Sequence, residues 1–354
     1  MKNVMFMIGT AAMLLLASCK SSPKAKERVC NVYGELQDSV EAILQRHLPE
    51  YDAMDGVAIV METSSGRIRA MVGLECREGS SYVRADSLAG TRRSSALMRT
   101  ISMLAALNSG KVMPDTKVDT EEGVYVCGKD TIFDHNWRRG GYGGLTLRQA
   151  FALGSNVGTV KAVDKAFADK KQFIDNVKKM SFGLPMEMEG LKIDSCSQNV
   201  ADIPWYGVAL GNIETSPMQM LTFYNTIANN GKMVAPLLYE SLRPIDEGPQ
   251  VLNPQIASPS SITNIRELLE ENITKGLGKR AMSDLFAIEG ATGTIYNKDS
   301  TLTADFCGYF PTKNSVYTVF VSVHRKERPA SGGVMAGTIF KDIAEFLYRH
   351  KDSY

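Results

Sequence analysis

The chain has 354 residues, 44% hydrophobic and 22% charged, and its 40 lysines and arginines almost balance 39 aspartates and glutamates. That length accommodates one large domain or two ordinary ones. The net charge of +1 provides no basic surface for tracking phosphates, which excludes nucleic acid as an expected partner. With 30 glycines and 13 prolines, the composition also excludes disordered, collagen-like and disulfide-scaffold proteins.

The first twenty residues predict a targeting segment. Lys2 precedes an almost continuous apolar run from Val4 to Leu16, which is too short for an ordinary transmembrane helix. The sequence Leu16-Ala17-Ser18-Cys19 resembles the lipobox of bacterial lipoproteins. The resemblance implies a signal peptide at residues 1–18, cleavage before Cys19 and a lipid on its thiol. A secretory peptide with an unrelated cysteine is the alternative. We expect a protein anchored to a bacterial membrane, facing the periplasm or the exterior, because each buried CH₂ contributes about 0.8 kcal/mol.

The remaining cysteines and the histidines lack the spacing of metal ligands. Of the six cysteines, an odd number remains once Cys19 is set aside, so at least one is unpaired within the chain even where disulfides form. No C-x-x-C pair occurs, and the four histidines are scattered. We therefore expect no metal and no cofactor.

Hydrophobic periodicity predicts the secondary structure in chain order. Residues 32–47 have helical spacing, and 56–61 and 67–73 are strands of a hairpin around Ser64-Ser65-Gly66. Helices follow over 94–107, 147–152, 159–180, 217–228, 261–274 and 336–348, and late strands over 286–296, 303–310 and 316–324. This order predicts one mixed sheet completed by both ends of the chain. We expect a spacer and helix at 19–50 and a single domain at 51–354.

Common catalytic motifs are absent from the sequence, which has no G-x-S-x-G, H-E-x-x-H or P-loop. Asp134-His135 suggests an acid–base pair, but neighbours in sequence seldom face the same way, so a polar loop is the better interpretation. Trp137 with Arg138 and Arg139 is either a recognition patch or a loop anchored by a half-buried tryptophan.

Several segments in a fixed order resemble the transpeptidase domain of class B penicillin-binding proteins. They are Gly56–Val72, Leu104–Gly110, Leu145–Gly158, Thr215–Met220, Ile227–Pro236, Gly290–Thr294 and Gly308–Pro311. Each segment alone is a weak signal, but their ordered combination is specific, and it extends over about residues 54 to 350. The resemblance implies an α/β fold with an antiparallel sheet of about five strands flanked by helices, the β-lactamase-like fold.

The resemblance also locates the motifs S-x-x-K, S-x-N and K-T-G, with which this family acylates a serine. They correspond to Ala96-Leu97-Met98-Arg99, Gly154-Ser155-Asn156 and Ala291-Thr292-Gly293. Ala96 replaces the nucleophile, and Arg99 replaces its lysine with a guanidinium that does not deprotonate and cannot act as a base. Gly154 replaces the proton-relaying serine and Ala291 the last lysine. We therefore predict no catalytic residue in this chain.

Part of the family's binding surface is retained. Asn156, Thr292, Gly293 and Thr294 match the family and, together with Arg99, form the predicted ligand-binding set. A peptide could therefore lie along the strand that begins near residue 290 by β-augmentation, without reacting. The alternative is that these residues persist only because they fit the fold.

Two details of the cleft follow from the same resemblance. The backbone N–H groups of Ala96 and Thr294 correspond to an oxyanion hole, which requires no particular side chain. Arg99 adds a fixed cation that pairs either with a ligand carboxylate or with an internal acid such as Asp134 or Asp305.

The sequence thus favours a lipid-anchored pseudoenzyme that binds peptidoglycan stem peptides or a cell-wall partner protein. One alternative is an active transpeptidase or carboxypeptidase with an unrecognised nucleophile such as Ser95 or Ser155. Ser21 is the only serine after Cys19 with a lysine three residues later, and it lies in the spacer. A further alternative is a structural subunit of an envelope complex whose cleft has no function.

Overall fold

The computed structural model describes residues 30–77, 81–85, 92–93, 97–183, 186–188, 191–193, 203–239, 248–297 and 299–351. The predicted signal peptide, the predicted lipid-attachment site Cys19, the predicted motif position Ala96 and the alternative nucleophile Ser95 lie outside the described residues. In the described part of the chain, no helix is long and apolar enough to cross a membrane.

One six-stranded sheet forms the centre of the molecule, with spatial order β14-β15-β16-β1-β2-β3. The strands are β1 (Ala53–Glu62), β2 (Ile68–Arg77), β3 (Ser81–Arg84), β14 (Glu289–Tyr296), β15 (Leu302–Phe310) and β16 (Tyr317–Arg325). All five pairings in this sheet are antiparallel. The expectation of a mixed sheet was therefore wrong, whereas completion of the sheet by both ends of the chain is confirmed. The sixth strand is the short β3, which the sequence pattern did not reveal.

The other strands are short pairs at the periphery. They are β4 (Arg92–Arg93), β5 (Lys117–Asp119), β6 (Val124–Cys127), β7 (Asp130–Phe133), β8 (Gly144–Thr146), β9 (Met186–Met188), β10 (Leu191–Ile193), β11 (Glu214–Thr215), β12 (Met233–Val234) and β13 (Val251–Asn253).

Nine helices lie within the described ranges. They are α1 (Gly34–Glu50), α2 (Met98–Asn108), α3 (Leu147–Ala152), α4 (Asn156–Ala166), α5 (Lys170–Lys179), α6 (Trp205–Ala209), α7 (Pro217–Ala228), α8 (Pro259–Thr274) and α9 (Ala336–Arg349). The single helix predicted over 159–180 is wrong, because Asp169 accepts a hydrogen bond from the Gln172 backbone N–H and begins a separate helix there.

The sheet separates two hydrophobic cores. Successive side chains of a strand point to opposite faces, so Val57, Ile59 and Met61 of β1 pack in one core with α2, α7 and α8. Ala58 and Val60 pack in the other core with α1 and α9. Burial on both faces explains why β1 is continuously apolar instead of alternating.

Strand β14 occupies one edge of the sheet, with β15 as its only neighbour in the order of the sheet. Helices α2, α3, α4 and α8 pack on this side of the molecule. An edge strand has a row of backbone groups that no neighbouring strand engages. The fold therefore places the predicted binding segment at an open edge.

Candidate functional site

A cleft of about 730 Å³ lies beside β14. The side chains or backbone of Arg99, Gly154, Asn156, Thr292 and Thr294 line it. These five positions come from three distant parts of the sequence. The structure thus brings together most of the residues that the sequence predicted for the site.

Arg99, in the first turn of α2, bridges the two walls of the cleft. Its Nη1 donates to Asn156 Oδ1 at 3.3 Å and its Nη2 donates to the Thr292 carbonyl at 3.3 Å. Among the described residues no carboxylate accepts a hydrogen bond from this guanidinium, so the expected direct pairing with Asp134 or Asp305 is not found. Burial lowers the pKa of Arg99, with Asp134 acting in the opposite direction, but a guanidinium remains charged.

Gly154 ends helix α3 in the left-handed conformation, with φ +68°. The Gly154 N–H donates to the Phe151 carbonyl and the Ser155 N–H to the Ala150 carbonyl, the pattern of a Schellman C-cap. A Cβ at Gly154 would lie 2.8 Å from Leu277 Cδ1 and 3.3 Å from Arg99 Nη2. The first position of the S-x-N motif is thus both strained for a side chain and directed at Arg99.

Ser155 and Asp134 form a buried cap for helix α4. The Ser155 hydroxyl donates to Asp134 Oδ2 at 2.8 Å and accepts from the Gly158 N–H at 2.8 Å, and Ser155 is fully buried. Asp134 Oδ1 accepts from the Val157 N–H at 3.0 Å. These contacts remove Ser155 from the candidates for an accessible nucleophile.

Asp134 and His135 face opposite ways, as a polar loop requires. Asp134 points inward to α4, whereas His135 is exposed and lies 3.0 Å from the Tyr142 hydroxyl through Nε2. Partial burial lowers the pKa of His135 below its ordinary value of 6.5, Asp134 opposes this, and Arg99 adds to it. A lowered pKa favours the neutral imidazole of His135.

Asn156 begins α4, and its side-chain amide hydrogen-bonds to two different parts of the cleft wall. Its Nδ2 donates to the Phe133 carbonyl at 2.9 Å while its Oδ1 accepts from Arg99. Both ends of the amide are thereby satisfied, which fixes its orientation.

Strand β14 contributes mainly backbone groups to the cleft. Because the backbone groups of alternate residues point to the same edge, Thr292 and Thr294 share the edge at which Arg99 reaches the Thr292 carbonyl. The Thr294 hydroxyl accepts from the Gly332 N–H at 3.0 Å. Gly293 is covered, since a Cβ on Gly332 would lie 2.3 Å from its carbonyl oxygen. Ligand contact by Gly293 itself stays a prediction, and such a contact would have to come from a side other than the one that Gly332 covers.

Ala291 is 5% exposed and packs in the core shared with α2, opposite Cys307 of β15. The position predicted for the K-T-G lysine thus holds a buried methyl group. The described residues that line the cleft include no lysine, and their hydroxyl groups belong to Thr292, Thr294, Ser331 and Tyr296.

The sequence offered Trp137 as one alternative for a recognition patch but did not predict the rest of the aromatic rim of the cleft. Phe133, Trp137 and Tyr296 line it and are 44%, 39% and 51% exposed, and Arg328 lies with its Cζ 4.2 Å from the Tyr296 ring centroid. Trp137 is thus partly exposed beside the cleft, and both of its predicted roles, a recognition patch and a half-buried loop anchor, stay predictions. Only an alternation of aromatic and polar residues between 133 and 137 could have signalled this surface.

Among the described residues, no cluster of three or more histidine, cysteine, aspartate or glutamate side chains could hold a metal ion. The described cysteines Cys30, Cys76, Cys127 and Cys307 are free, and Cys196 lies outside the described residues.

Known proteins with related sequences match most of the chain. A family model described as penicillin binding protein transpeptidase domain matches residues 56–345. The relatives include the probable peptidoglycan D,D-transpeptidase PbpC of Pseudomonas aeruginosa, 24% identical over 348 residues, and penicillin-binding protein 1A of Aquifex aeolicus, 26% identical over 267 residues. The alignments cover 91% and 73% of this chain but only 59% and 33% of those proteins.

Two solved structures share the fold. A peptidoglycan glycosyltransferase from Burkholderia ambifaria superposes with a TM-score of 0.77 at 21% identity, over 91% of this chain and 98% of that one. The transpeptidase domain of Burkholderia pseudomallei penicillin-binding protein 3 gives 0.78 at 19% identity, over 94% and 98%. The expected β-lactamase-like architecture is confirmed, with six strands in the main sheet instead of about five. The chain belongs to the penicillin binding protein transpeptidase domain family.

Proposed function

We propose that this protein binds a peptidoglycan stem peptide non-covalently in the cleft beside β14 and forms no acyl-enzyme. The observation that carries the proposal is the position of Arg99, whose guanidinium joins Asn156 Oδ1 to the Thr292 carbonyl in the middle of the cleft. A permanent cation there cannot take a proton from a nucleophile, because the guanidinium stays protonated in proteins.

Three further substitutions support the loss of acylation. The sequence has Ala96 at the nucleophile position, Gly154 at the proton-relay position and Ala291 at the K-T-G lysine position. Relatives such as the Pseudomonas aeruginosa protein are named as D,D-transpeptidases. The proposal departs from those names because attack on a carbonyl requires a hydroxyl and a base together.

The same cleft keeps features that suit a bound peptide. An extended peptide can pair with the open edge of β14 through the backbone of Thr292 and Thr294. Arg99 has N–H donors beyond the two it uses, and a ligand carboxylate would satisfy its charge. Hydrogen bonds to charged groups contribute about 1.5–3 kcal/mol each. This pairing would therefore provide binding affinity without a covalent reaction.

We further propose that the protein acts at the cell envelope as a lipoprotein. Its basis is the lipobox-like Leu16-Ala17-Ser18-Cys19 after a short apolar run. Lipid attachment at Cys19 would hold the cleft close to a bacterial membrane and to the peptidoglycan beyond it.

The test uses two measurements on the protein from residue 20 onward. Incubation with a fluorescent β-lactam followed by intact mass is expected to give no covalent adduct, with an active penicillin-binding protein treated in parallel as the positive control. Calorimetry with a synthetic stem peptide ending in a free carboxylate is expected to give saturable binding.

The outcomes separate the competing functions. An adduct on Ser95 or another serine supports the working transpeptidase and overturns the proposal. No adduct and no peptide binding overturns it in favour of a structural subunit, for which crosslinking in cells would capture a partner protein on a surface away from the cleft.

A further inference from the structure

We propose that Phe133 and Trp137 form a sugar-binding platform at the mouth of the cleft, which takes the carbohydrate that carries the stem peptide. This inference rests on the proposed function and extends it from the peptide to the glycan part of the ligand. The platform is defined here as the two aromatic rings with the guanidinium of Arg138.

Burial alternates in the segment from 133 to 137, with Phe133, His135 and Trp137 exposed and Asp134 and Asn136 buried. Phe133 and Trp137 are 44% and 39% exposed, whereas Asp134 and Asn136 are 1% and 8% exposed. Asp134 binds the start of α4, and Asn136 Nδ2 donates to the Gly141 carbonyl at 2.8 Å. Asp134 and the Asn136 amide nitrogen are thus held by the helix and the loop, which keeps the two rings outward, while Asn136 Oδ1 has no hydrogen-bond partner among the described residues.

The two rings form one surface. Their centroids are 5.1 Å apart and their planes are tilted by 47°, so together they make a shallow angled face. The backbone of Phe133 is fixed by the hydrogen bond from Asn156, and the Arg138 guanidinium lies 5.0 Å from the centroid of the Trp137 ring. The rings are therefore presented by a supported segment of chain.

The chemistry of this surface fits a sugar ring better than an apolar partner. A pyranose has C–H groups on its faces and hydroxyls around its edge, so it needs flat apolar contact beside hydrogen-bond donors. Arg138 flanks Trp137, and Arg328 flanks Tyr296 elsewhere on the cleft wall. A wholly apolar occupant would desolvate these guanidinium groups without replacing their hydrogen bonds.

The platform is continuous with the predicted peptide site. Phe133 and Trp137 line the same cleft as Arg99 and Thr294. A peptide attached to a sugar could therefore occupy both parts of the cleft at once, with its carboxylate at Arg99 and its carbohydrate at the rim.

The experiment compares the Kd of a stem peptide with that of the same peptide attached to its N-acetylated disaccharide. The disaccharide is expected to tighten binding about tenfold, in line with a ring contact of about 1.4 kcal/mol. Trp137→Ala should reduce this ratio to about one, and Trp137→Phe should keep most of it. Val126→Ala is the control, because Val126 is exposed on the β6–β7 hairpin that ends at Phe133 and is not among the residues that line the cleft.

A direct readout distinguishes failure of the platform from failure of the proposed function. The chain has two tryptophans, so Trp205→Phe leaves Trp137 as the only fluorophore of its kind. The free disaccharide is expected to shift the emission of Trp137 in that variant. If no peptide binds but this shift occurs, the proposed function fails and the platform stands.

Two results overturn the platform. One is equal affinity of the wild-type protein for the peptide with and without its sugar. The other is a sugar-dependent gain that survives Trp137→Ala. Absence of any emission shift with the free disaccharide, in a protein that binds neither peptide, overturns both proposals.

Discussion

Arg99 Nη2 lies 3.3 Å from the point where a side chain on Gly154 would begin. The two positions predicted to depart from the family motifs, Gly154 and Arg99, therefore lie against each other in space. The larger guanidinium occupies room that a hydroxyl-bearing side chain would need. Gly154→Ser alone would therefore place the new side chain against Arg99.

We predict that Gly154→Ser destabilises the protein by about 1–2 kcal/mol, the usual cost of a left-handed conformation in a residue with a Cβ. The new side chain would also lie 2.8 Å from Leu277 Cδ1. Chemical denaturation measures the change in the free energy of unfolding.

Substitutions at two other glycines separate the cost of the left-handed backbone from the cost of steric contact. Gly110 has φ +73° with no atom within 4 Å of a Cβ, so Gly110→Ser should cost less than Gly154→Ser. Gly144 also has open space and has no positive φ, so Gly144→Ser should change little. Equal effects at all three positions would show that the cleft does not constrain Gly154.

Ala96→Ser alone is expected to remain unacylated by a β-lactam. The new hydroxyl would have Arg99 as its nearest motif partner, and a guanidinium accepts no proton. Adding Arg99→Lys, Gly154→Ser and Ala291→Lys supplies the missing base and cations, and slow acylation of the folded fraction is expected. Intact mass over time measures both. Rapid acylation of the single variant would show that a base exists elsewhere.

Motif order along the chain was enough to bring several of the predicted site residues together. Arg99, Gly154, Asn156 and Thr292 were assigned from order along the chain, and they line one cleft. The rim could not be predicted in this way. Trp137 is exposed because its polar neighbours are buried, and which of two alternating sets faces inward depends on tertiary contacts.

The secondary structure likewise divides into elements that local sequence predicts and elements that depend on tertiary contacts. Helix α7 was predicted at its observed bounds because Ser216 and Gln219 form a capping box there. Helices α4 and α5 were merged because an apolar period continues across the break at Asp169. Strand β3 was missed because its four residues, half-buried or exposed, carry no alternation strong enough to detect.

Arg99→Gln should weaken binding of a carboxylate-terminated stem peptide at least about tenfold, because a charge-assisted hydrogen bond contributes about 1.5–3 kcal/mol. A peptide whose terminus is an amide should bind the wild-type protein and Arg99→Gln about equally. Calorimetry with the two peptides gives the four affinities. Arg77→Gln, which removes an exposed arginine paired with Glu75, is the control. An acid-to-amide difference that persists in Arg99→Gln would place the carboxylate elsewhere.

Stability in acid should depend on Asp342, which joins α9 to α1. His47 Nε2 lies 2.8 Å from Asp342 Oδ2, and hydrogen bonding to His47 lowers the pKa of Asp342 below its ordinary value of 3.8. A carboxyl whose pKa is lower in the folded state stabilises the fold above its unfolded pKa, and that contribution is lost as pH falls through the folded pKa. The partly exposed pair limits the effect to below about 1 kcal/mol.

Urea denaturation between pH 5 and pH 3 measures this dependence. Asp342→Asn should flatten the loss of stability in that interval, whereas Asp284→Asn, at an exposed position, should leave the slope unchanged. A wild-type slope in the Asp342→Asn variant would assign the acid sensitivity to other carboxylates.

Asp134→Asn and Ser155→Ala are expected to destabilise the protein jointly, since both break the buried cap of α4. Asn offers one acceptor oxygen where Asp134 uses two, for the Ser155 hydroxyl and the Val157 N–H. Leaving a buried donor unsatisfied costs about 1–3 kcal/mol. The double variant should lose less stability than the sum of the losses of the two single variants, with a coupling of at least about 0.5 kcal/mol.

Because Ser155 is a capping residue, Ser155→Ala should alter the free energy of unfolding and leave peptide binding by the folded protein unchanged. Additive losses in the cycle would contradict the shared cap, and loss of a catalytic turnover in Ser155→Ala would restore it as a nucleophile.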